Sequence, residues 1–253
     1  MSADEAVVPP TLAAPTSAAI AQAVDRLRTA PPRVHALLAP VAQPLVANLA
    51  AAVGIDISMT VDAQDVAPMA AASDALLVNL GMMDPVRREG ALAAVASGCP
   101  FVLDPVKVDR APDRLAFAKR LVASGPLVVK GNGGEMAALG PLPDTMVSAT
   151  TGRVDRVARG HAAITLHNGA PLMDRVIATG CGAGMLVAAF TAVEPDPFVA
   201  TAAALSLLNV AAEAAAAHPG TRGPGSFAVA LIDALAALDG AAVQSQLTLA
   251  DNA

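Results

Sequence analysis

The spacing of apolar residues changes repeatedly between residues 31 and 140. Short, continuous apolar runs such as "ALLV" and "FVL" are typical of strands that are buried on both faces. Segments with helical spacing lie between these runs. One of them follows Asp84 as a candidate N-cap, has Pro85 in its first turn and ends at Gly98. Because strands and helices follow each other at short spacing, the pattern predicts βαβ units and a parallel sheet.

The second half of the chain has a different pattern. Residues 139–169 are predicted to form strands and turns, and the chain from Gly180 onward is predicted to be nearly all helical. No internal repeat and no clear linker divides the sequence. We therefore expect an N-terminal arm and helix over residues 1–30 and a single α/β domain over residues 31–253.

Composition excludes several functions. The chain has five Phe, no Trp and no Tyr, a net charge of −6, and no dense run of Lys or Arg. These features argue against stacking on single strands and against binding a phosphate backbone, so we expect no nucleic-acid partner. Two cysteines are too few for a disulfide framework or a cysteine zinc site.

Mean hydropathy is high, at +0.55, which raises the question of membrane insertion. The long apolar stretches are rich in Ala and are interrupted by polar residues, so we interpret them as buried helices and expect no membrane span. The first residues, "MSADEAVVPP", are acidic and lack the basic region of a signal peptide. A cytoplasmic location is the expectation.

Candidate chemistry lies at the ends of predicted strands, where ligands bind in open α/β sheets. The polar sequences "NLG", "DPVK" and "KGNGGE" follow three strands and include Asp104 and Glu135. The glycine-rich stretch "ATGCGAG" precedes a helix and is suited to holding an anion. Together these features suggest Mg²⁺ and a polyphosphate. A cysteine at a helix start, here Cys181, is expected to have a lowered pKa. The alternative is that Cys181 is a small core residue and that the carboxylates only cap turns and helices.

The motifs "VNLG", "GCPFVLDPV", "VVKGNGGEMAALG", "DRVIATGCGAGMLVAAF" and "GPGSFAVALIDAL" occur in an order that resembles the hydroxyethylthiazole kinase family of the ribokinase-like superfamily. The resemblance covers about residues 34–238, and the chain looks like a divergent member. It implies a central, mostly parallel sheet flanked by helices on both faces, and a homotrimer with active sites between subunits. It also implies Mg²⁺-dependent transfer of the ATP γ-phosphoryl group to the hydroxyl of 4-methyl-5-(2-hydroxyethyl)thiazole in thiamine salvage.

The resemblance also assigns roles at the helix start. Cys181 matches the position at which related kinases carry an aspartate base. The backbone from Thr179 through Gly180 to Gly182 is expected to hold the charge of the transferred phosphoryl group.

Further roles follow in the same way from the other matching motifs. Asp104 and Glu135 match the positions that organise Mg²⁺. Lys130 stands where the family usually has an arginine near the nucleotide phosphates, and Thr151 matches a threonine on the ATP side. Met59 matches a methionine near the thiazole pocket.

Departures from the family pattern keep other functions open. Ala39 replaces an asparagine that faces the thiazole, and Asp56 falls near the same pocket. Lys107 replaces a loop glycine, where it either reaches a phosphate or fills the loop, and the stretch 140–146 is too short for the helix that the family has there. The alternatives are a kinase of another small primary alcohol and a catalytically weak, trimeric small-molecule-binding paralogue.

Overall fold

The computed structural model of the protein describes residues 13–251. Its strands are β1 (Arg33–Leu37), β2 (Asp56–Ser58), β3 (Ala75–Asn79), β4 (Phe101–Asp104), β5 (Val128–Asn132), β6 (Val147–Thr151), β7 (Asp155–Arg159), β8 (Ala162–Leu166) and β9 (Leu249–Asp251). Its α-helices are α1 (Ser17–Thr29), α2 (Gln43–Ala52), α3 (Ala63–Ala71), α4 (Pro85–Ala96), α5 (Pro112–Val122), α6 (Gly133–Leu139), α7 (Thr179–Val193), α8 (Pro197–Ala217), α9 (Pro224–Ala237) and α10 (Gly240–Gln246).

All these strands belong to one sheet, in the order β2-β1-β3-β4-β5-β6-β7-β8-β9. Strands β1 to β6 are mutually parallel, and β7, β8 and β9 continue the sheet in antiparallel pairs. The chain moves from β1 to one side for β2 and to the other side for β3. The sheet therefore reverses its winding at β1, which in open α/β sheets is where a ligand crevice forms at the carboxyl ends.

Helices cover both faces of the sheet, as predicted. One core contains residues of α1, α2 and α7 to α10, and a second core contains residues of α3 to α6. Neighbouring strand residues serve opposite cores: Leu77 belongs to the first and Leu76 to the second. This alternation explains why the parallel strands are continuous apolar runs, since both of their faces are buried.

Local sequence signals determine several helix ends. The Asp84 side chain accepts a hydrogen bond from the Arg87 N–H at 2.8 Å and caps α4, with Pro85 in the first turn. Gly98 follows this helix with φ +79°, a left-handed conformation that favours glycine. These ends confirm the predicted boundaries of α4.

Helix α8 is the only single helix among residues 13–251 that is long and apolar enough to cross a membrane. Within its most apolar window, 83% of the residues are buried inside the protein. Helices α9 and α10 would meet the same test only as one span, but they are bent by 117°. The apolar side chains of α8 therefore pack in the protein core, where Phe198 is fully buried.

Helix α1 shares this core with the rest of the chain. Ile20, Val24 and Leu27 are completely buried in it. Asp25 accepts a hydrogen bond from the Gly240 N–H at 2.8 Å, which ties α1 to α10. The helical part of the predicted 1–30 segment therefore packs on its own chain, whereas residues 1–12 of the predicted arm lie outside the described residues.

The connection between α6 and β6 is short and contains no helix. Gly140 ends α6 with φ +82°, and the chain enters β6 at residue 147. Ser148, Thr150 and Arg156 on this sheet face line a cavity of about 220 Å³ together with the 140–146 connection. The structure confirms that residues 140–146 form no helix between α6 and β6.

Candidate active site

Four polar side chains come together where β3, β4 and β5 approach the start of α7. Asn79 and Asp104 end β3 and β4 and lie directly opposite each other in the register. Lys130 lies in β5, and Cys181 lies in the first turn of α7. We call Asn79, Asp104, Lys130 and Cys181 the polar cluster.

Direct contacts connect the members of the polar cluster. Asp104 Oδ2 accepts hydrogen bonds from Asn79 Nδ2 at 2.9 Å and from Lys130 Nζ at 3.3 Å. Lys130 Nζ also donates to the Gly180 carbonyl at 2.8 Å. Asn79 Nδ2 lies 3.4 Å from Cys181 Sγ. Asn79, Asp104 and Lys130 are buried, so these interactions act with little screening by water.

The charges of the cluster depend on one another. Burial is the largest single effect on the pKa of Lys130 and acts to lower it. The charge and hydrogen bond of Asp104, together with Cys181 and Glu135, outweigh burial, and the pKa of Lys130 is raised. Burial raises the pKa of Asp104, against the opposing effects of Lys130 and Asn79. Lys130 is therefore held in its charged form beneath the start of α7.

The Cys181 thiol does not have the lowered pKa that the sequence predicted. Burial, and after it the negative charge of Asp104, raise its pKa to about 11, against the opposing effects of Lys130 and Asn79. The prediction was wrong because it considered only the helix start. The thiol lies against the sheet, where desolvation and a carboxylate favour the neutral form.

The three glycines around Cys181 lie in the first two turns of α7 rather than in a loop. A Cβ atom on Gly184 would lie 3.2 Å from Asp104 Oδ2, and one on Gly182 would lie 2.5 Å from Leu49 Cδ1. The glycines therefore allow α7 to approach the sheet and α2 closely. Ala178, just before the helix, has φ +75°, a strained conformation for a residue with a side chain.

Only part of the predicted anion-binding backbone is available. The Gly182 N–H donates to the Ala178 carbonyl at 2.9 Å, so it already belongs to the helical hydrogen bonds. This contradicts its assignment as a nucleotide-binding group. The N–H groups of Thr179, Gly180 and Cys181 precede the first helical bond and point out of the positive helix end. The Thr179 hydroxyl donates to the Met173 carbonyl at 3.0 Å and anchors the helix start.

Glu135 serves as a structural cap at the neighbouring strand end. Its Oε2 accepts the Asn132 N–H at 2.8 Å, and Asn132 Oδ1 accepts the Glu135 N–H at 3.0 Å, which forms a capping box for α6. Glu135 Oε1 accepts the Lys107 N–H at 2.9 Å. The negative charge of Glu135 also acts to raise the pKa of Asp104, so the two carboxylates are close enough to interact electrostatically.

The pair of carboxylates fits a Mg²⁺ ion that arrives with a nucleotide. Residues 13–251 contain no group of three or more His, Cys, Asp or Glu side chains that could hold a metal by themselves. Mg²⁺ commonly uses one or two carboxylates together with water and substrate phosphates. Asp104 and Glu135 supply such hard oxygen ligands, although both carboxylates already accept hydrogen bonds.

Two further predicted nucleotide residues lie at this edge of the sheet. Lys107 is exposed in the turn after β4 and has φ +61°. Thr151 ends β6 opposite Asn132, and its Oγ1 donates to the Gly131 carbonyl at 3.4 Å. Lys107 and Thr151 therefore lie at the carboxyl ends of the strands, on the same side of the molecule as the polar cluster.

The predicted acceptor residues do not all lie at this edge. Ala39 follows β1, is buried, and lies 3.2 Å from where a Cβ atom on Gly81 would be. Met59 follows β2 and packs, partly buried, against the first core. Asp56 pairs with Arg33 at the amino ends of β2 and β1, about 13 Å along β1 from its carboxyl end. Asp56 therefore lies at the amino ends of the strands, whereas the polar cluster lies at their carboxyl ends. This position contradicts the placement of Asp56 in the candidate site.

Sequence reasoning missed Asn79 as a site residue. Its signal was present, since "NLG" is a polar sequence directly after a fully apolar strand. Only the register places Asn79 beside Asp104, and only the packing of α7 brings Cys181 to it.

Known proteins resemble this chain over most of its length. The model of the "Hydroxyethylthiazole kinase family" matches residues 24–145 and 142–240, and the two segments meet at the short connection before β6. A probable hydroxyethylthiazole kinase of Agrobacterium fabrum is 40% identical over 230 residues, covering 89% of this chain and 92% of that protein. A hydroxyethylthiazole kinase of Cereibacter sphaeroides is 39% identical, covering 85% of this chain and 92% of that protein.

Solved structures also resemble this chain over most of its length. A hydroxyethylthiazole kinase from Pyrococcus horikoshii has a TM-score of 0.86 and 30% identity, covering 92% of this chain and 99% of that chain. A ribokinase-like protein of Enterococcus faecalis, at 11% identity and a TM-score of 0.60, covers 90% of each chain and shares the fold. The family model, the sequence relatives and the matching architecture agree: the chain belongs to the hydroxyethylthiazole kinase family.

Proposed function

We propose that the protein transfers the γ-phosphoryl group of ATP to the hydroxyl of 4-methyl-5-(2-hydroxyethyl)thiazole, with Mg²⁺, in thiamine salvage. The observation that carries this proposal is the polar cluster beneath the open N-terminus of α7, in a chain 40% identical to a probable hydroxyethylthiazole kinase. In the reaction, a bond forms between the acceptor oxygen and the γ-phosphorus. The bond from that phosphorus to the bridging oxygen of ADP breaks, and the hydroxyl loses its proton.

The start of α7 supplies the charge stabilisation for this transfer. The N–H groups of Thr179, Gly180 and Cys181 are aimed out of a positive helix end, where oxygens of the moving phosphoryl group gain negative charge. Lys130 adds a buried positive charge behind them through its bond to the Gly180 carbonyl. Such fixed donors lower the barrier because they need not reorganise during the reaction.

Cys181 acts on the acceptor hydroxyl as a neutral thiol. With a pKa of about 11, the thiol is protonated near neutral pH and is a poor base for removing a proton in advance. Phosphoryl transfer has a loose transition state in most analyses, so the hydroxyl needs orientation more than early deprotonation. We therefore assign Cys181 to orienting the hydroxyl, and the proton of the hydroxyl passes late to an oxygen of the transferred phosphoryl group.

Asp104 and Glu135 would hold Mg²⁺ bound with the nucleotide. The ion, when bound, offsets the negative charge of the phosphates. Lys107 and Thr151 flank the same edge of the sheet and would contact the nucleotide phosphates.

The acceptor side is apolar and small. Ala39 and Met59 offer van der Waals contact in place of an asparagine hydrogen bond. Ala39 thereby also favours a second candidate function, in which a kinase of the same mechanism acts on another small primary alcohol.

We propose a homotrimer of cytoplasmic location, with active sites between subunits. Val41, Met82 and Ile177 are 60%, 60% and 70% exposed, and each belongs to a connection at the carboxyl edge of the sheet or at the start of α7. These exposed apolar side chains are the positions that we propose a neighbouring subunit covers.

The test is phosphorylation of hydroxyethylthiazole by the purified protein with ATP and Mg²⁺, with hydroxymethylpyrimidine as a parallel acceptor. We expect phosphorylated thiazole, its loss on Mg²⁺ chelation, and a trimer by analytical ultracentrifugation. Cys181→Ala should reduce turnover by about tenfold or more with nearly unchanged ATP affinity. Cys99→Ala, the matched change at the other cysteine, should not. Product from neither acceptor, in a folded trimer, would refute thiazole phosphorylation and favour another alcohol or a binding protein.

A further inference from the structure

Asn79 is the member of the polar cluster that has no assigned role in the proposed reaction. It is the last residue of β3, it is 1% exposed, and its register partner is Asp104. A buried amide must satisfy its hydrogen bonds inside the protein, because leaving them unmade is costly. The partners of this amide are the turn that follows β3 and two groups of the candidate site.

The orientation of the Asn79 amide is determined by its two ends. Oδ1 accepts the Gly81 N–H at 2.9 Å, so Nδ2 is the end that faces the site. Nδ2 has two hydrogens and two acceptors, Asp104 Oδ2 at 2.9 Å and Cys181 Sγ at 3.4 Å. One rigid group therefore bridges the carboxylate of β4 and the sulfur of α7.

This bridge has a consequence for the thiol. Because the sulfur accepts a hydrogen from Asn79, the hydrogen of the thiol points elsewhere. The sulfur also keeps a constant position relative to Asp104, whose own carboxylate is held by Lys130. Reacting groups need such constant geometry, since a displacement of about 1 Å in an active site can cost about a hundredfold in rate.

We propose that Asn79 is a positioning residue, which holds Cys181 Sγ and the Asp104 carboxylate in their relative places for phosphoryl transfer. The inference rests on the proposed function for its effect on rate. Its structural part, the hydrogen bond from Asn79 to the sulfur, is independent of that function.

The experiment uses the full chain in a Cys99→Ala background, in which Cys181 is the only thiol. Asn79→Ala removes the amide. Asn79→Leu also removes the N–H groups but keeps the size and adds no charge beside Asp104, so it protects the test if the first variant does not fold. Asn168→Ala is the matched control, because Asn168 is an equally buried amide whose Nδ2 contacts Glu213 and the Gln246 carbonyl instead.

Two measurements decide the result. The S–H stretching band of Cys181 in the infrared spectrum should change in both Asn79 variants and stay unchanged in Asn168→Ala. For thiazole phosphorylation, kcat should fall about tenfold or more while the KM for ATP stays within about twofold. An unchanged S–H band in both Asn79 variants, or a fall in kcat no larger than in Asn168→Ala, would overturn the proposal. If the parent protein forms no product, the proposed function fails, and the S–H band alone decides whether Asn79 holds the sulfur.

Discussion

Replacing Lys130 with methionine tests the central electrostatic argument. Lys130→Met keeps most of the side-chain volume but removes the charge that pairs with Asp104, and the two side chains are only 5% and 2% exposed. Removing one member of a buried pair leaves the other charge uncompensated, which typically costs about 3–5 kcal/mol. We expect a loss of that size in the free energy of unfolding at about pH 8.

The loss should depend on pH in a definite direction. Burial raises the pKa of Asp104, and Lys130 opposes this effect, so the variant raises that pKa further. A carboxyl group with a raised pKa binds more protons in the folded than in the unfolded protein, so stability falls as pH rises toward the folded pKa. The destabilisation should therefore be smaller at about pH 5 than at about pH 8.

Urea unfolding followed by circular dichroism, at constant protein concentration, measures these free energies, since the chain has no Trp to report by fluorescence. Lys119→Met, on the exposed side of α5, is the matched control and should stay within about 0.5 kcal/mol of the parent. The double variant Lys130→Met/Asp104→Asn should recover most of the loss, because no unpaired charge remains. A double variant as unstable as Lys130→Met, or a single variant as stable as the control, would refute the reasoning.

Two further predictions concern α7. In a Cys99→Ala background, Cys181 should contribute a fall of at most about 3 kcal/mol in the free energy of unfolding between pH 9 and pH 11, because the unfolded Cys181 thiol ionises near 9.0 and the folded one near 11. Cys181→Ser should remove this contribution in pH-dependent urea unfolding, and an unchanged slope would contradict the raised pKa. Gly184→Ala places a Cβ atom 3.2 Å from Asp104 Oδ2 and should cost about 1–3 kcal/mol in thermal or urea unfolding. Gly133→Ala, which meets nothing within 4 Å, should cost far less; equal costs would disprove the close approach of α7.

The amino-acid sequence by itself determined the architecture of most of the protein. The apolar runs of β3 and β4 and the cap, proline and glycine of α4 are local signals, and the structure has these elements where they were expected. The α/β class with helices on both faces follows from them, and the family follows from motifs that stay in order along the chain. Strand β9 had no such signal, since a three-residue edge strand depends on pairing with β8.

Tertiary structure decided the chemistry of the candidate site. Asn79 contacts Asp104, which is 25 positions away along the chain, and Cys181, which is 102 positions away. No local sequence pattern predicts these contacts. The pKa of Cys181 depends on burial against the sheet and on Asp104, so the helix start alone predicted the wrong direction. The sequence placed Asp56 near the acceptor pocket, but in the structure Asp56 begins β2 and therefore lies at the amino ends of the strands, opposite the carboxyl ends that carry the candidate site. Secondary structure arises from interactions between near neighbours, whereas charge, desolvation and reach depend on which distant residues the fold packs together.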